Sequence, residues 1–130
     1  MYEKVTHDIR VRVRPQFMAD QSDPDEGRYM WAYTIDIINE GLVSLQLRTR
    51  YWRITDEVGR VDEVSGAGVV GETPYLTPGT KFTYTSSCPL STPSGIMVGY
   101  YRMMTDENEV MIIDIPAFSL DSPDARRVMN

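Results

Sequence analysis

The amino-acid sequence predicts an all-β protein, a sandwich or a barrel of seven to eight short strands. Over most of the chain, apolar and polar residues alternate with the two-residue period of a half-buried strand. Clusters of Gly, Pro, Asn and Asp interrupt this alternation at short intervals, as turns do in all-β folds. Before residue 121, no apolar pattern of helical period continues for more than a turn or two.

The first predicted strand contains Ile9, Val11 and Val13. These residues alternate with arginines, so the strand has one buried face and one charged face. Pro15 is expected to end the strand, because proline has no amide proton to donate to a neighbouring strand. Residues 15–27 are then expected to form a loop that carries four carboxylates.

The second and third strands are predicted from the residues that follow this loop. Aromatic and aliphatic residues alternate over 29–37, and the turn residues 39–41 end that strand. The third strand covers about 45–54. Its apolar positions change parity between Leu47 and Trp52, so we expect a β-bulge or a bend there.

The C-terminal half continues the pattern of short strands and turns. Pro78 and Gly79 occupy the central positions of a type II turn over 77–80. At Tyr100 and Tyr101, alternation places one ring on each face of a strand. Further strands are predicted over residues 61–64, 81–85, 96–104 and 110–117, with hairpin loops at 55–60 and 105–109.

Length and composition are those of a single domain over residues 1–130. We expect its core to cover about 3–120 and residues 121–130 to form a flexible tail. The net charge of −6 provides no basic field for nucleic acid or for anionic lipid, so neither is an expected partner.

The expected location is the cytoplasm. The N-terminal residues lack the apolar run of a signal peptide, and no segment approaches the roughly 20 apolar residues that span a bilayer. Cys88 is the only cysteine, so no disulfide can form within the chain, as is usual in a reducing compartment.

The segment "SGAGVVGETP" (65–74) contains Gly66, Gly68 and Gly71 with the spacing of a dinucleotide-binding fingerprint. That fingerprint needs a helix to begin at its second glycine, and Pro74 prevents this. The same residues also have the spacing of a phosphate-binding P-loop. There, Glu72 stands where a lysine should reach the phosphates, which reverses the sign of the interaction.

Two interpretations of the glycine segment remain open. Its backbone amides could form a nest that binds an anion without a helix. Alternatively, the glycines serve a turn that needs positive φ or a close approach between backbones. We therefore treat the segment as a candidate anion or partner loop, with Gly66, Gly68, Gly71 and Glu72 as its site residues.

The sequence predicts no catalytic group, no metal site and no cofactor. His7, expected on the first strand, is the only histidine and lies 81 positions from Cys88, so nothing in the sequence pairs a base with the thiol. The acidic loop resembles the start of an EF-hand but has Thr34 where a bidentate Glu is required. Two predicted strands carry six arginines: Arg10, Arg12, Arg14, Arg48, Arg50 and Arg53. They form either a solvent-exposed face or a surface that binds an anion or a partner.

Long segments of the chain resemble the ApaG family. The resemblance covers about residues 3–120 and implies a β-sandwich like fibronectin type III and immunoglobulin domains, with Trp52 as the buried tryptophan of the third strand. The segments that carry it are "YMWAYTIDIINEG" (29–41), "RYWRITDEVGRVDEVSGAGVVGETPYLTPGTKFTYTS" (50–86), "TPSGIMVGYYRM" (92–103) and "IPAFSL" (115–120).

The resemblance implies less about function than about fold. Bacterial members are associated with cobalt and magnesium resistance and, by genomic context, with dinucleoside tetraphosphate hydrolysis. Similar domains in eukaryotes are attached to F-box proteins and to a DNA polymerase δ-interacting protein. We therefore expect a non-enzymatic domain that binds an unidentified protein partner, with only an indirect link to cobalt or magnesium. The alternative is a small-molecule binder that holds a phosphate-containing ligand, pyrophosphate or a nucleotide, weakly at the Gly66–Gly71 loop. An enzyme that acts on such a ligand is the third hypothesis.

Overall fold

The computed structural model describes residues 1–123 and confirms the all-β prediction. Nine strands occur where seven to eight were predicted, because the sequence pattern did not reveal the first strand or the two-residue sixth strand. The strands are β1 (Tyr2–Thr6), β2 (Ile9–Phe17), β3 (Tyr29–Asn39), β4 (Leu45–Asp56), β5 (Val61–Ala67), β6 (Tyr75–Leu76), β7 (Lys81–Leu90), β8 (Ser94–Thr105) and β9 (Val110–Asp121).

The strands form two antiparallel sheets packed face to face as a β-sandwich. The first sheet has the order β1-β2-β3-β7, and the second has the order β5-β4-β8-β9, with β6 paired to β4. Strands β1 and β2 contact β9, so β5 and β7 are the edge strands on the other side of the sandwich. This architecture is the one implied by the immunoglobulin-like resemblance.

The N-terminal hairpin differs from its prediction. His7 lies in the turn between β1 and β2 and not on a strand, and both His7 (φ 49°) and Asp8 (φ 63°) adopt left-handed backbone conformations. Two successive positive φ values match the type I′ turn, whose twist suits a hairpin. The residues at the turn are His-Asp and not the usual Asn-Gly, so the local sequence does not predict this turn.

The prediction that Pro15 ends the first strand is wrong. Strand β2 continues to Phe17, and Pro15 lies opposite Tyr33 of β3. Strand β1 pairs with β2 only as far as Val13. Beyond that residue β2 is an edge strand, where a missing amide proton leaves no neighbour unsatisfied.

Two other backbone predictions are confirmed. The register between β4 and β8 shifts between Leu47 and Thr49, which is the expected bulge. At the expected turn, the amide of Thr80 donates to the carbonyl of Thr77 at 3.1 Å, and Gly79 has φ 85°. Such a turn requires positive φ at its third position.

The core lies between the sheets and is rich in aromatic rings. The Trp52 side chain is 2% exposed and packs against Tyr33 and Phe118, with ring centroids 5.4 and 5.8 Å away. Trp52 is therefore the buried tryptophan that the resemblance implied. It lies on β4 and not on the third strand, because the unpredicted β1 precedes the others. Tyr101 is fully buried and Tyr100 is exposed, as alternation predicted.

The remaining segments connect or follow the strands. Residues 19–21 and 24–26 form short 3-10 turns within the acidic loop. In the part of the chain that the structure describes, no helix is long and apolar enough to cross a membrane. The prediction of a flexible tail over 121–130 is wrong at its start, because Asp121 ends β9 and Ser122 is buried, with its amide donating to the carbonyl of Pro93. Residues 124–130 lie outside the described residues.

Candidate functional site

The glycine segment is the end of a strand followed by a tight hairpin. Gly66 belongs to β5 and lies opposite Arg50 of β4. Val69 and Glu72 exchange backbone hydrogen bonds of 2.8 and 2.9 Å, so the two residues between them form the turn. Those two are Val70 (φ 44°) and Gly71 (φ 80°), which gives a type I′ geometry. No helix begins at Gly68, as the position of Pro74 predicted.

Each of the three glycines has a different structural reason. Gly68 has φ 64°, and a Cβ atom there would collide with the carbonyl oxygen of Glu72. Gly71 needs only its positive φ of 80°, because nothing lies within 4 Å of its Cβ position. Gly66 is in a regular strand, and a Cβ atom there would lie 3.2 Å from Nη1 of Arg50.

The hairpin uses most of its own amides. The amide of Gly68 donates to Arg48 at 2.9 Å, and those of Val69 and Glu72 donate to each other's carbonyls. Within the described residues, the amides of Val70 and Gly71 at the tip have no such acceptor. An anion nest here would therefore consist of two amides beside the exposed Glu72 carboxylate.

Arg50 ties this hairpin to the second sheet. Its Nη1 donates to the carbonyls of Ala67 at 3.1 Å and of Gly68 at 2.8 Å. Arg50 lies opposite the buried Tyr101, on the same face of β4 as Trp52, so its side chain is directed into the sandwich. Sequence reasoning grouped Arg50 with solvent-exposed arginines, although its spacing of two from Trp52 was a signal of the shared face.

A cavity of about 260 Å³ lies beneath the hairpin, on the open side of the sandwich between β4 and β7. Arg50 and the side chains of Tyr33, Trp52, Tyr84 and Ser86 line it, and the hairpin covers it. The Tyr84 hydroxyl lies 2.5 Å from that of Tyr101. Burial raises the pKa of Tyr33, Tyr84 and Tyr101, so all three hydroxyls are protonated at neutral pH.

Comparison with known proteins identifies the family. The ApaG domain matches residues 19–105. The chain is 56% identical over 130 residues to Protein ApaG of Allorhizobium ampelinum, with all of both chains covered. It is 59% identical over 126 residues to Protein ApaG of Rhodospirillum centenum, covering 97% of each chain. This chain belongs to the ApaG family.

A solved structure supports the same fold for this ApaG-family chain. The crystal structure of the putative ApaA protein from Bordetella pertussis superposes with a TM-score of 0.86 at 44% sequence identity. The match covers 89% of this chain and 94% of the other. At this identity the likeness extends to the family and not only to the sandwich architecture.

The ApaG fold keeps the two candidate nucleophilic-site residues apart. Cys88 lies opposite Trp31 near the start of β3, whereas His7 precedes Ile9, which lies opposite Asn39 at the end of β3. The strand rise of about 3.3 Å per residue separates those positions by roughly 26 Å. Burial raises the pKa of the Cys88 thiol to about 11, which disfavours the thiolate at neutral pH.

The acidic loop of this ApaG chain is closed by its own backbone. Asp23 and Arg28 exchange backbone hydrogen bonds of 2.8 and 2.9 Å across it. Among residues 1–123, no group of three or more His, Cys, Asp or Glu side chains is placed to hold a metal ion.

The arginines of the first sheet are paired with carboxylates. Arg14 donates to Asp36 at 2.8 Å, and this hydrogen bond holds the pKa of Asp36 below its usual value. Arg10 contacts both Glu3 and Glu40, at 3.0 and 2.8 Å. The outer face of this sheet is therefore a charge-compensated surface, and the six arginines do not form one cluster.

The outer face of the second sheet carries several exposed apolar side chains. Its central strand β8 presents Ile96, Val98 and Tyr100, which are 51%, 38% and 37% exposed. Thr55 of β4 lies opposite both Val61 of β5 and Ile96 of β8, so Val61 is on the same face as Ile96. On the other side, Ile112 of β9 lies opposite Arg102, the outward residue of β8 that follows Tyr100. We call these five residues the apolar face: Val61, Ile96, Val98, Tyr100 and Ile112.

An aromatic pair extends the apolar face onto β4. Tyr51 lies opposite Tyr100, and the two rings stack with centroids 5.0 Å apart. The Tyr51 hydroxyl donates to Glu63 at 2.8 Å. Arg53 lies between Glu63 and Val98 in the strand register, so charged groups border the apolar residues on this side.

Proposed function

We propose that this ApaG-family chain is a non-enzymatic, protein-binding domain, and that its apolar face contacts the partner. The observation that carries the proposal is the exposure of Ile96, Val98 and Tyr100 on the central strand of a sheet. Apolar side chains collected on one solvent face are typical of interaction sites on soluble domains. Interfaces likewise combine an apolar, tyrosine-containing centre with a charged rim.

The contrast between the two sheets supports this assignment. Both outer faces are open in the described chain, and the sheets have similar strand numbers. The first sheet presents ion pairs such as Arg14 with Asp36, whereas the second presents the apolar face. Exposing several β-branched side chains costs solvation free energy, so a partner that covers them gains about 25 cal/mol for each Å² removed from water.

The proposed partner is a protein of different sequence and not a second copy of this chain. Each chain has a net charge of −6, so two copies repel each other at low salt. A partner with an apolar surface and a positive net charge would match both the apolar face and the overall charge of the chain. The proposed place of action is the cytoplasm, and any effect on cobalt or magnesium would be exerted through the partner.

A single charge placed in the apolar face tests the proposal. We suggest Val98→Glu, with Thr85→Glu on the outer face of the first sheet as the matched control, because both positions are exposed on strands. Wild type and both variants are used to capture proteins from a bacterial lysate, and each captured protein is then purified and its affinity measured. We expect a partner that binds wild type and the control but binds Val98→Glu at least about tenfold more weakly.

Two results would contradict the proposal. Equal affinity of a purified partner for all three proteins would place its contact elsewhere. Light scattering that shows a wild-type dimer, dissociated by Val98→Glu, would show that a second copy occupies the face. Circular dichroism and urea midpoints of the variants establish that the fold is intact in both cases.

A further inference from the structure

The cavity beneath the glycine hairpin contains an incompletely used cation. A guanidinium has five N–H groups, and Nη1 of Arg50 directs its two toward the carbonyls of Ala67 and Gly68. Among residues 1–123, no carboxylate lies within 4.0 Å of this guanidinium, and Nε and Nη2 have no hydrogen-bond acceptor. Arg50 lines the cavity and therefore brings to it a guanidinium with no carboxylate partner and with three unused N–H donors.

The tyrosine pair at the cavity supplies a further donor. The hydroxyls of Tyr84 and Tyr101 form one mutual hydrogen bond but together carry two protons. Tyr101 is fully buried, whereas Tyr84 lines the cavity. The proton left over therefore belongs to Tyr84, with Tyr101 as the donor in the shared bond, and Tyr84 can donate to an acceptor in the cavity.

The side chains around the cavity offer donors and no negative charge. Ser86 and Tyr33 add hydroxyl groups, and the lining contains neither Asp nor Glu. Glu72, at the end of the hairpin, is exposed and is not among the lining residues. A site with one uncompensated cation and several hydroxyl donors is complementary to an anion.

We propose that this cavity binds a small monocarboxylate, held by the free edge of the Arg50 guanidinium and the Tyr84 hydroxyl. One positive charge matches one negative charge, and the planar fork of arginine matches the two oxygens of a carboxylate. The volume of about 260 Å³ is below the 300–1,000 Å³ of drug-sized pockets, so the ligand is small. The rings of Tyr33 and Trp52 line the cavity and would contact the organic part of the ligand.

This site is separate from the surface proposed for protein binding. The cavity lies between the sheets, and the apolar face lies on the outer side of the second sheet. It also differs from an anion nest at the hairpin tip, because the donors are side chains of β4 and β7. Val70 and Gly71 at the tip line the cavity, so a bound carboxylate would alter their amide environments.

Titration with benzoate tests the site, because benzoate and neutral benzamide have nearly the same shape. We expect saturable amide NMR shifts, confined to residues 67–71 and 84–86, with half-saturation below about 1 mM benzoate at constant ionic strength. Arg50→Gln should weaken binding at least about tenfold, and Tyr84→Phe about three- to tenfold. The matched control is Arg53→Gln, which removes an exposed outward arginine from the same strand.

Three results would overturn the proposal. Equal shifts with benzamide would show that charge is not recognised. Unchanged benzoate affinity in both Arg50→Gln and Tyr84→Phe would place the ligand elsewhere. Saturation by inorganic phosphate or pyrophosphate, with none by benzoate, would show that the anion is a phosphate. The spectra of the free variants establish that the hairpin is still folded, and Tyr84→Phe keeps the test valid if Arg50→Gln loosens the hairpin.

Discussion

Nη1 of Arg50 donates a hydrogen bond of 2.8 Å to the carbonyl of Gly68, across 18 positions of sequence. The bond joins strand β4 to the hairpin that follows β5. Because Gly66 has no Cβ, the guanidinium can lie across the β5 backbone and reach this carbonyl. The glycine segment is thus shaped in part by a side chain from the neighbouring strand.

Loss of the Arg50 contacts should loosen the hairpin. Arg50→Met keeps most of the aliphatic stem but removes both hydrogen bonds to the hairpin carbonyls. Because Arg50 is partly exposed, we expect a loss of about 1–2 kcal/mol in the free energy of unfolding, at the low end for bonds from a charged donor. Urea denaturation measures it. Arg48→Met, at an exposed position of the same strand, should change the midpoint little, and equal effects of the two variants would refute the role of Arg50.

The glycines of the hairpin should differ in their sensitivity to substitution. Gly71→Ala meets no neighbouring atom, so it should cost only the left-handed penalty of about 1–2 kcal/mol. Gly68→Val adds a collision with the Glu72 carbonyl and should cost more. Comparison of the two urea midpoints checks this order, and a variant at Gly68 as stable as the one at Gly71 would contradict it.

Removal of the central tryptophan should destabilise the fold strongly. Trp52→Ala empties a buried aromatic site, for which the expected loss is about 3–5 kcal/mol. Tyr51→Ala is the control, since that ring lies on the outer face and stacks on Tyr100 with about 1 kcal/mol at stake. Similar midpoints for the two variants in chemical denaturation would show that the burial of Trp52 does not contribute this much to stability.

The pair of Arg14 and Asp36 should make stability depend on pH. The hydrogen bond from Arg14 lowers the pKa of Asp36 below its ordinary value of 3.8, and Thr83 donates a further bond to the same carboxylate. A depressed folded-state pKa contributes stability that is present above the unfolded-state pKa and is lost as pH falls through the folded-state pKa.

Asp36→Asn should therefore destabilise the protein at pH 7, and the difference from wild type should shrink below about pH 4. Denaturation at several pH values, with Asp121→Asn at an exposed carboxylate as control, measures this. A difference that stays constant down to pH 2 would show that the charge of Asp36 contributes nothing.

Phosphate compounds should bind the native hairpin tip weakly or not at all. The two amides left at the tip lie beside the negative charge of Glu72, which opposes an incoming anion. Glu72→Lys reverses that charge and should strengthen any binding. NMR titration with ATP or diadenosine tetraphosphate decides the question, and saturable shifts confined to residues 64–73 of wild type at micromolar ligand would overturn the prediction.

Several features could be predicted from the sequence because they depend on local chemistry. The alternation around Val11 and around Ile35 identified strands, since a half-buried strand needs that period. Pro74 excluded a helix after Gly68, because the proline ring cannot continue one. The change in parity of the apolar positions after Leu47 predicted the bulge, because an extra residue in a strand interrupts the two-residue period.

Other features depended on which strands pair. Pro15 stays within β2 because β1 has already ended beside it, a fact about the neighbouring strand and not about the proline. Alternation along β4 places Arg50 and Arg53 on opposite faces, but it does not determine which face is covered. They differ because the second sheet turns the face of Arg50 inward, against Tyr101 and beneath the hairpin.

The apolar face is the clearest case of what only tertiary structure decided. Strand β8 is apolar on both sides, with Met97 and Tyr101 on one and Ile96 and Val98 on the other. Such a pattern alone is typical of a strand buried on both faces. Alternation fixes which residues share a face, but the position of the other sheet determines which face is covered. In this fold the first sheet covers Met97 and Tyr101 and leaves Ile96 and Val98 in solvent.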